Sequence, residues 1–198
     1  MQLSFYRFKN ELGRHSCDRI ASVLRTRALR SGQVVILIAG RRGAGKTTIA
    51  RCLAVEHDFV HYELSTVMKQ LRAHDKSLMK VRLRRFVARM RKEGKEDIGV
   101  RYLMNSGRLN RERTVLTGIR HYSEVKYLKD TLSPNKVVLV YFHCGIVTRF
   151  WRIRRTRERN SFLDFVIEEL YSIQWGDRRL KKIADMRYDC SSDSLHIA

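Results

Sequence analysis

No apolar run in this chain approaches the length of about 18 residues that a helical membrane span requires, and the longest are strand-sized. Cysteine is sparse and scattered. Cys17, Cys52, Cys144 and Cys190 form neither a paired metal-ligand spacing nor a small disulfide framework, so reduced thiols in an intracellular protein are expected. His57, His61, His74, His121 and His143 show no ligand spacing with them, which argues against a zinc site. Proline occurs once, as Pro134 in Ser133-Pro134-Asn135, and marks a turn. Internal repeats, low-complexity tracts and a second domain boundary are all missing. Acidic residues are the largest deficit: 20 against 41 Lys and Arg, a formal charge of +21. A field of that sign gathers polyanions, whether nucleotides or nucleic acid.

What is present is a foldable chain. Hydrophobic residues make up 43% of 198 residues, enough for one core and too many for a disordered polymer. Five short apolar runs read as strands: Val34–Ile38, Phe59–Tyr62, Thr114–Leu116, Val137–Phe142 and Met186–Tyr188. The first and fourth are continuous rather than alternating, as in parallel strands covered on both faces. Helical patterns lie between them, at Thr47–Val55, Thr66–Lys92, Glu124–Lys129 and Phe162–Ile173. In the last, Phe162, Phe165, Val166, Leu170 and Ile173 share one side, and Ser161 with Asp164 reads as its capping box. The alternation predicts an α/β fold with a five-stranded, mostly parallel sheet flanked by helices. Residues 1–33 are basic, with loosely helical Leu12, Ile20, Leu24 and Leu29, and read as an N-terminal helical extension on a domain spanning 34–198. An Arg-rich start can also be an organelle transit peptide; Glu11, Asp18 and the lack of a Ser-rich tract favour a cytoplasmic protein.

The strongest motif is Gly40-Arg41-Arg42-Gly43-Ala44-Gly45-Lys46-Thr47, a complete Walker A pattern between a strand and a helix that opens at Thr48. The glycines let the backbone wrap so that amides point at phosphate oxygens, and the helix N-terminus adds its positive dipole end. Lys46 supplies a full charge to the β- and γ-phosphates of ATP, and Thr47 a hydroxyl ligand to Mg2+.

Beyond this loop the order of pieces resembles the small P-loop kinases, dephospho-coenzyme A kinases and nucleoside monophosphate kinases, over about residues 34–195. Three segments carry the resemblance. Val115-Leu116-Thr117-Gly118-Ile119-Arg120, followed by Ser123-Glu124-Val125, is similar to the end of the family's third strand; the resemblance implies that Arg120 holds an acceptor phosphate. Thr117 stands where the family has an Asp that orders the magnesium shell, which sets phosphoryl transfer in question. Arg149-Phe150-Trp151-Arg152-Ile153-Arg154-Arg155 resembles the start of an arginine lid, with Arg152 and Arg155 as the implied triphosphate ligands and Arg149 behind them. Ala184-Asp185-Met186-Arg187-Tyr188-Asp189 resembles the closing strand beside the adenine. Glu63 is the implied activator of the acceptor hydroxyl, Asp97 a weaker alternative, and Ser65 and Arg72 fall where acceptor-binding residues lie.

Residues 69–113 carry 15 Lys or Arg against five acids, more than one small phosphorylated acceptor needs. Arg82, Arg85 and Arg89 repeat at spacings that line one helix face, with Leu83, Phe86 and Val87 turned towards the core. Two readings follow. One is an ATP-dependent kinase of a nucleotide-like small molecule. The alternative is a catalytically weakened nucleotide-binding module that contacts RNA or DNA through residues 69–113.

Overall fold

Val34–Gly40 (β1) is apolar on both faces and buried almost throughout, the signature of a strand at the centre of a covered sheet. In the computed structural model, which describes residues 18–22, 34–74, 78–109, 113–133, 136–156, 162–174, 176–190 and 194–197, it occupies that place. The other strands are Val60–Glu63 (β2), Arg113–Ile119 (β3), Val137–His143 (β4), Met186–Asp189 (β5) and Ser194–Ile197 (β6), in the spatial order β2-β3-β1-β4-β5-β6. The five expected strands are parallel, and β6 adds an antiparallel edge against β5.

Side chains alternate between the two faces. Ile36, Ile38, Val115, Val140 and Phe142 pack against Ile49, Ala50 and Leu53 of Lys46–Glu56 (α1), and Ile20 and Ala21 of the helical residues 18–22 join them. Leu37, Leu116, Leu139 and Tyr141 face the other helices: Leu64–His74 (α2), Ile98–Asn105 (α4), Tyr122–Leu132 (α5) and Asp177–Ile183 (α8). Each fully buried Leu or Ile contributes about 1.5–3 kcal/mol relative to exposure.

Several sequence expectations need correction. The single helix expected over Thr66–Lys92 is two, α2 and Leu83–Lys92 (α3), with 75–77 outside the described residues. The cysteines are not all reduced thiols. The parallel register of β4 and β5 pairs His143 with Asp189, so the next residues, Cys144 and Cys190, lie side by side with Cα atoms 5.3 Å apart and are joined as a disulfide. A sequence separation of 46 hid this pairing. Ile146–Thr156 (α6) leads to Phe162–Gln174 (α7), which is helical as expected but buries Phe165 while Phe162 and Leu170 remain exposed. Pro134 and Ser161, and residues 1–17 and 23–33 of the expected extension, lie outside the described residues.

Candidate active site

A cavity of about 600 Å³ opens at the carboxyl edge of the sheet. One wall is the loop from β1 to α1: Gly40, Arg41, Arg42, Gly43, Gly45, Lys46, Thr47 and Thr48 line it, while Ala44 is buried. Gly45 is the N-cap of α1 in the left-handed region, φ 91°. The first amides of α1 lack intrahelical acceptors, and its positive dipole end opens here. Lys46 Nζ donates to the Arg41 carbonyl at 2.8 Å. Protein packs closely around this ammonium, and burial lowers its pKa from the ordinary lysine value to about 7; the nearby charge of Arg120 pushes the same way, and Asp177 and Glu63 oppose it.

The arginines beside the loop are committed to acids. Arg41 donates to Asp177 and to Glu169, each at 2.8 Å, and Arg42 pairs with Glu168. Arg149 is 2% exposed; it pairs through both terminal nitrogens with Glu169 and donates through Nε to the Cys144 carbonyl at 2.9 Å. Burial would raise the pKa of Glu169, but the bonds from Arg149 and Arg41 hold it below the usual carboxylate value. Arg149 is therefore a brace that ties α6 to α7. Arg152 points at the Cys144–Cys190 sulfurs, and Arg155 is exposed on α6; neither belongs to the cavity wall.

The rest of the lining carries a second set of charges. Glu63 ends β2 and accepts a hydrogen bond from Ser65 Oγ at 2.7 Å. Its register partner on β3 is Thr117, which is 1% exposed with Oγ1 2.8 Å from His61 Nε2. Between Thr117 and Ile119 the β1–β3 register slips, with Gly118 at φ 90° as the inserted residue. That bulge re-aims the chain so that Arg120 enters the cavity. Arg120 is exposed where it lines the cavity, yet desolvation on its protein side lowers its pKa despite Glu124 nearby. Glu124 accepts the backbone N–H groups of Arg120 and His121 at 2.7 and 2.8 Å, closing the capping box of α5. Burial nevertheless raises it to about 7.

Arg84 and Arg91 of α3, Tyr171 of α7 and the apolar Met68, Val87 and Met90 complete this half. The Arg84 guanidinium lies 4.7 Å from the centre of the Tyr171 ring, bridging α3 and α7. Apart from Val87, which was read as turned towards the core, these residues were missed in the sequence. The signal was there: Arg84, Val87 and Arg91 recur at three and four, the same period as the exposed Arg82, Arg85 and Arg89 one face away. Other expected acceptor residues do structural work. Arg72 donates to the Val81 carbonyl at 2.7 Å, and Asp97 is buried with Arg101 at 2.8 Å. Asp185 holds Lys129 and the Leu139 N–H, tying β5 to α5 and β4.

No protein-family model and no curated protein matches the sequence. Solved structures do. Shikimate kinase from Bacteroides thetaiotaomicron superposes with a TM-score of 0.52 at 16% identity, over 79% of this chain and 85% of that one. TT1252 from Thermus thermophilus gives 0.55 at 18% identity, over 80% and 89%. An uncharacterized protein from Eubacterium ventriosum gives 0.50 at 14%, over 79% and 88%. The chain has the fold of the small P-loop kinases. Among the described residues no helix is long and apolar enough to cross a membrane.

Proposed function

We propose that this chain is an ATP-dependent kinase of a small anionic, nucleotide-like acceptor, a nucleoside monophosphate or dephospho-coenzyme A. One observation carries the reading: a single cavity is lined both by the phosphate loop and by Glu63, Arg84, Arg91 and Arg120. A site for one nucleotide needs no second group of cations beyond those of its phosphate loop.

The donor set fits a magnesium nucleotide. The Lys46 amine beside the loop is desolvated, and a polyanion would favour its charged form. Thr47 lines the same wall and offers its hydroxyl to the metal. Bound Mg-ATP would supply the transferable γ-phosphoryl. The carboxylate lacking at Thr117 has a neighbour one strand over, since Glu63 is its register partner. Glu63, which accepts from Ser65 Oγ, would orient an acceptor hydroxyl and take its proton. Arg120, Arg91 and Arg84 would hold the acceptor's anionic end, with Met68, Val87 and Met90 beneath its apolar part.

The test is phosphoryl transfer from radiolabelled ATP to nucleoside monophosphates, dephospho-coenzyme A, shikimate and short 5′-hydroxyl oligonucleotides. Transfer to a small acceptor, lost in Glu63→Gln while ATP still binds, is the expected result. The exposed face formed by Arg82, Arg85 and Arg89 supports the second reading, a module that contacts nucleic acid. ATP binding without transfer to any acceptor, together with oligonucleotide affinity that falls steeply with salt and loses about one unit of slope per arginine replaced, would favour it.

A further inference from the structure

The arginine expected over the triphosphate is instead aimed at sulfur. Cys144 follows β4 and Cys190 follows β5, held together by the Cys190 N–H donated to the His143 carbonyl at 3.0 Å. Nη1 of Arg152 lies 3.6 Å from Cys144 Sγ and 3.4 Å from Cys190 Sγ. The same nitrogen is 3.9 Å from the point where a side chain on Gly45 would begin. One guanidinium thus stands between the sulfur pair and the phosphate loop. Cys144 is 5% exposed, whereas Cys190 is only partly buried and is the sulfur that a reagent meets first.

We propose that Cys144 and Cys190 are a redox-active pair that reacts with hydroperoxides, with Arg152 as the positioning cation that activates the thiols and moves between them and the phosphate loop. A guanidinium beside a thiol favours its thiolate, the form that reacts. In the reduced pair that thiolate and Arg152 attract each other as full charges. In the disulfide both sulfurs are neutral and weak acceptors, so a polyanion in the loop competes for Arg152 more easily.

The chemistry balances. The Cys190 thiolate attacks one peroxide oxygen and breaks the O–O bond. A sulfenic acid forms, and the alkoxide or hydroxide released takes a proton. The Cys144 thiolate then attacks Cys190 Sγ and expels hydroxide, which is protonated to water. Two thiols and one hydroperoxide become a disulfide, an alcohol and water; with hydrogen peroxide the products are the disulfide and two waters. A dithiol reverses the change through a mixed disulfide.

The thiol chemistry stands alone, while the coupling to the loop rests on the nucleotide reading above. The full chain is reduced with a dithiol, and alkylation of Cys190 by iodoacetamide is followed against pH by mass spectrometry. Half-maximal reactivity is expected at least about one unit below the ordinary thiol value of about 8.5, a tenfold gain in thiolate, and Arg152→Gln should return it there. One equivalent of hydrogen peroxide should form the Cys144–Cys190 bond, and dithiol should undo it. Reactivity centred near 8.5, a profile indifferent to Arg152→Gln, or peroxide that leaves the pair unlinked each overturns the redox site. Mg-ATP should bind the oxidised form several-fold more tightly than the reduced form, a difference lost in Cys190→Ser. Measurable but equal affinities overturn the coupling alone. No binding in either form overturns the nucleotide reading and the coupling with it, and leaves the redox site to be decided by the alkylation profile.

Discussion

Lys46 should make nucleotide binding consume a proton. In the free protein, burial and the charge of Arg120 bring its pKa down to about 7, so above that pH the side chain is largely neutral. Triphosphate oxygens beside it would favour the ammonium and lift the pKa back above about 10. The sign follows from linkage: where the free site has lost its proton and the complex holds one, affinity falls as pH rises. Below about pH 7 the lysine is charged in both states and contributes no slope. Above it, affinity should weaken by about tenfold per unit, reaching about 50-fold between pH 7 and pH 9, or about 2.3 kcal/mol. Near pH 8 each binding event should take up about 0.9 proton. Calorimetry of Mg-ATP binding in two buffers of different ionisation enthalpy reads that number directly. Lys46→Met, which cannot titrate, gives the background from the phosphates themselves. Net uptake near zero at pH 8, or an identical pH profile in Lys46→Met, would refute the claim that Lys46 is a desolvated cation serving the ligand.

Three further outcomes concern stability. Glu169→Ala leaves Arg149 buried without its carboxylate partner and should cost about 3–5 kcal/mol in urea unfolding; a loss under about 1 kcal/mol would mean that Arg149 finds other partners. Gly40→Ala places a Cβ 2.4 Å from the Phe142 carbonyl oxygen at a backbone φ of 130°, so β1 and β4 must separate and the midpoint of thermal unfolding should fall by several degrees or more; an unchanged midpoint would contradict that packing. Glu124 titrates near 7 in the folded protein against about 4.5 unfolded, so its contribution is fully present below about pH 4.5 and is lost as pH rises through about 7. Glu124→Gln keeps an acceptor for the Arg120 and His121 amides, and at about pH 8 should match or exceed wild-type stability by up to about 3 kcal/mol; a variant less stable at that pH would show that the ionised form is the better cap.

By itself the sequence determined what depends on near neighbours. The wrap of Gly40–Thr47, the strand before it and the helix after it are set by residues within a few positions of one another, and so were legible together. The continuous apolar runs of β1 and β4 likewise announced a parallel sheet covered on both faces. Tertiary structure decided which charges meet. Arg41, Arg42 and Arg149 look alike in sequence to ligands for a triphosphate, yet Glu168, Glu169 and Asp177, more than a hundred residues from the loop, claim the first two, and Glu169 claims the third. Cys144 and Cys190 are adjacent only because β4 and β5 are parallel neighbours in one register. On α3, an offset of two residues, about 200° round the helix, separates the face with Arg84 and Arg91 in the cavity from the face with Arg82, Arg85 and Arg89 in solvent. Helical spacing gives both faces the same period, so only the packing of Phe86 and Met90 against the body of the protein selects between them.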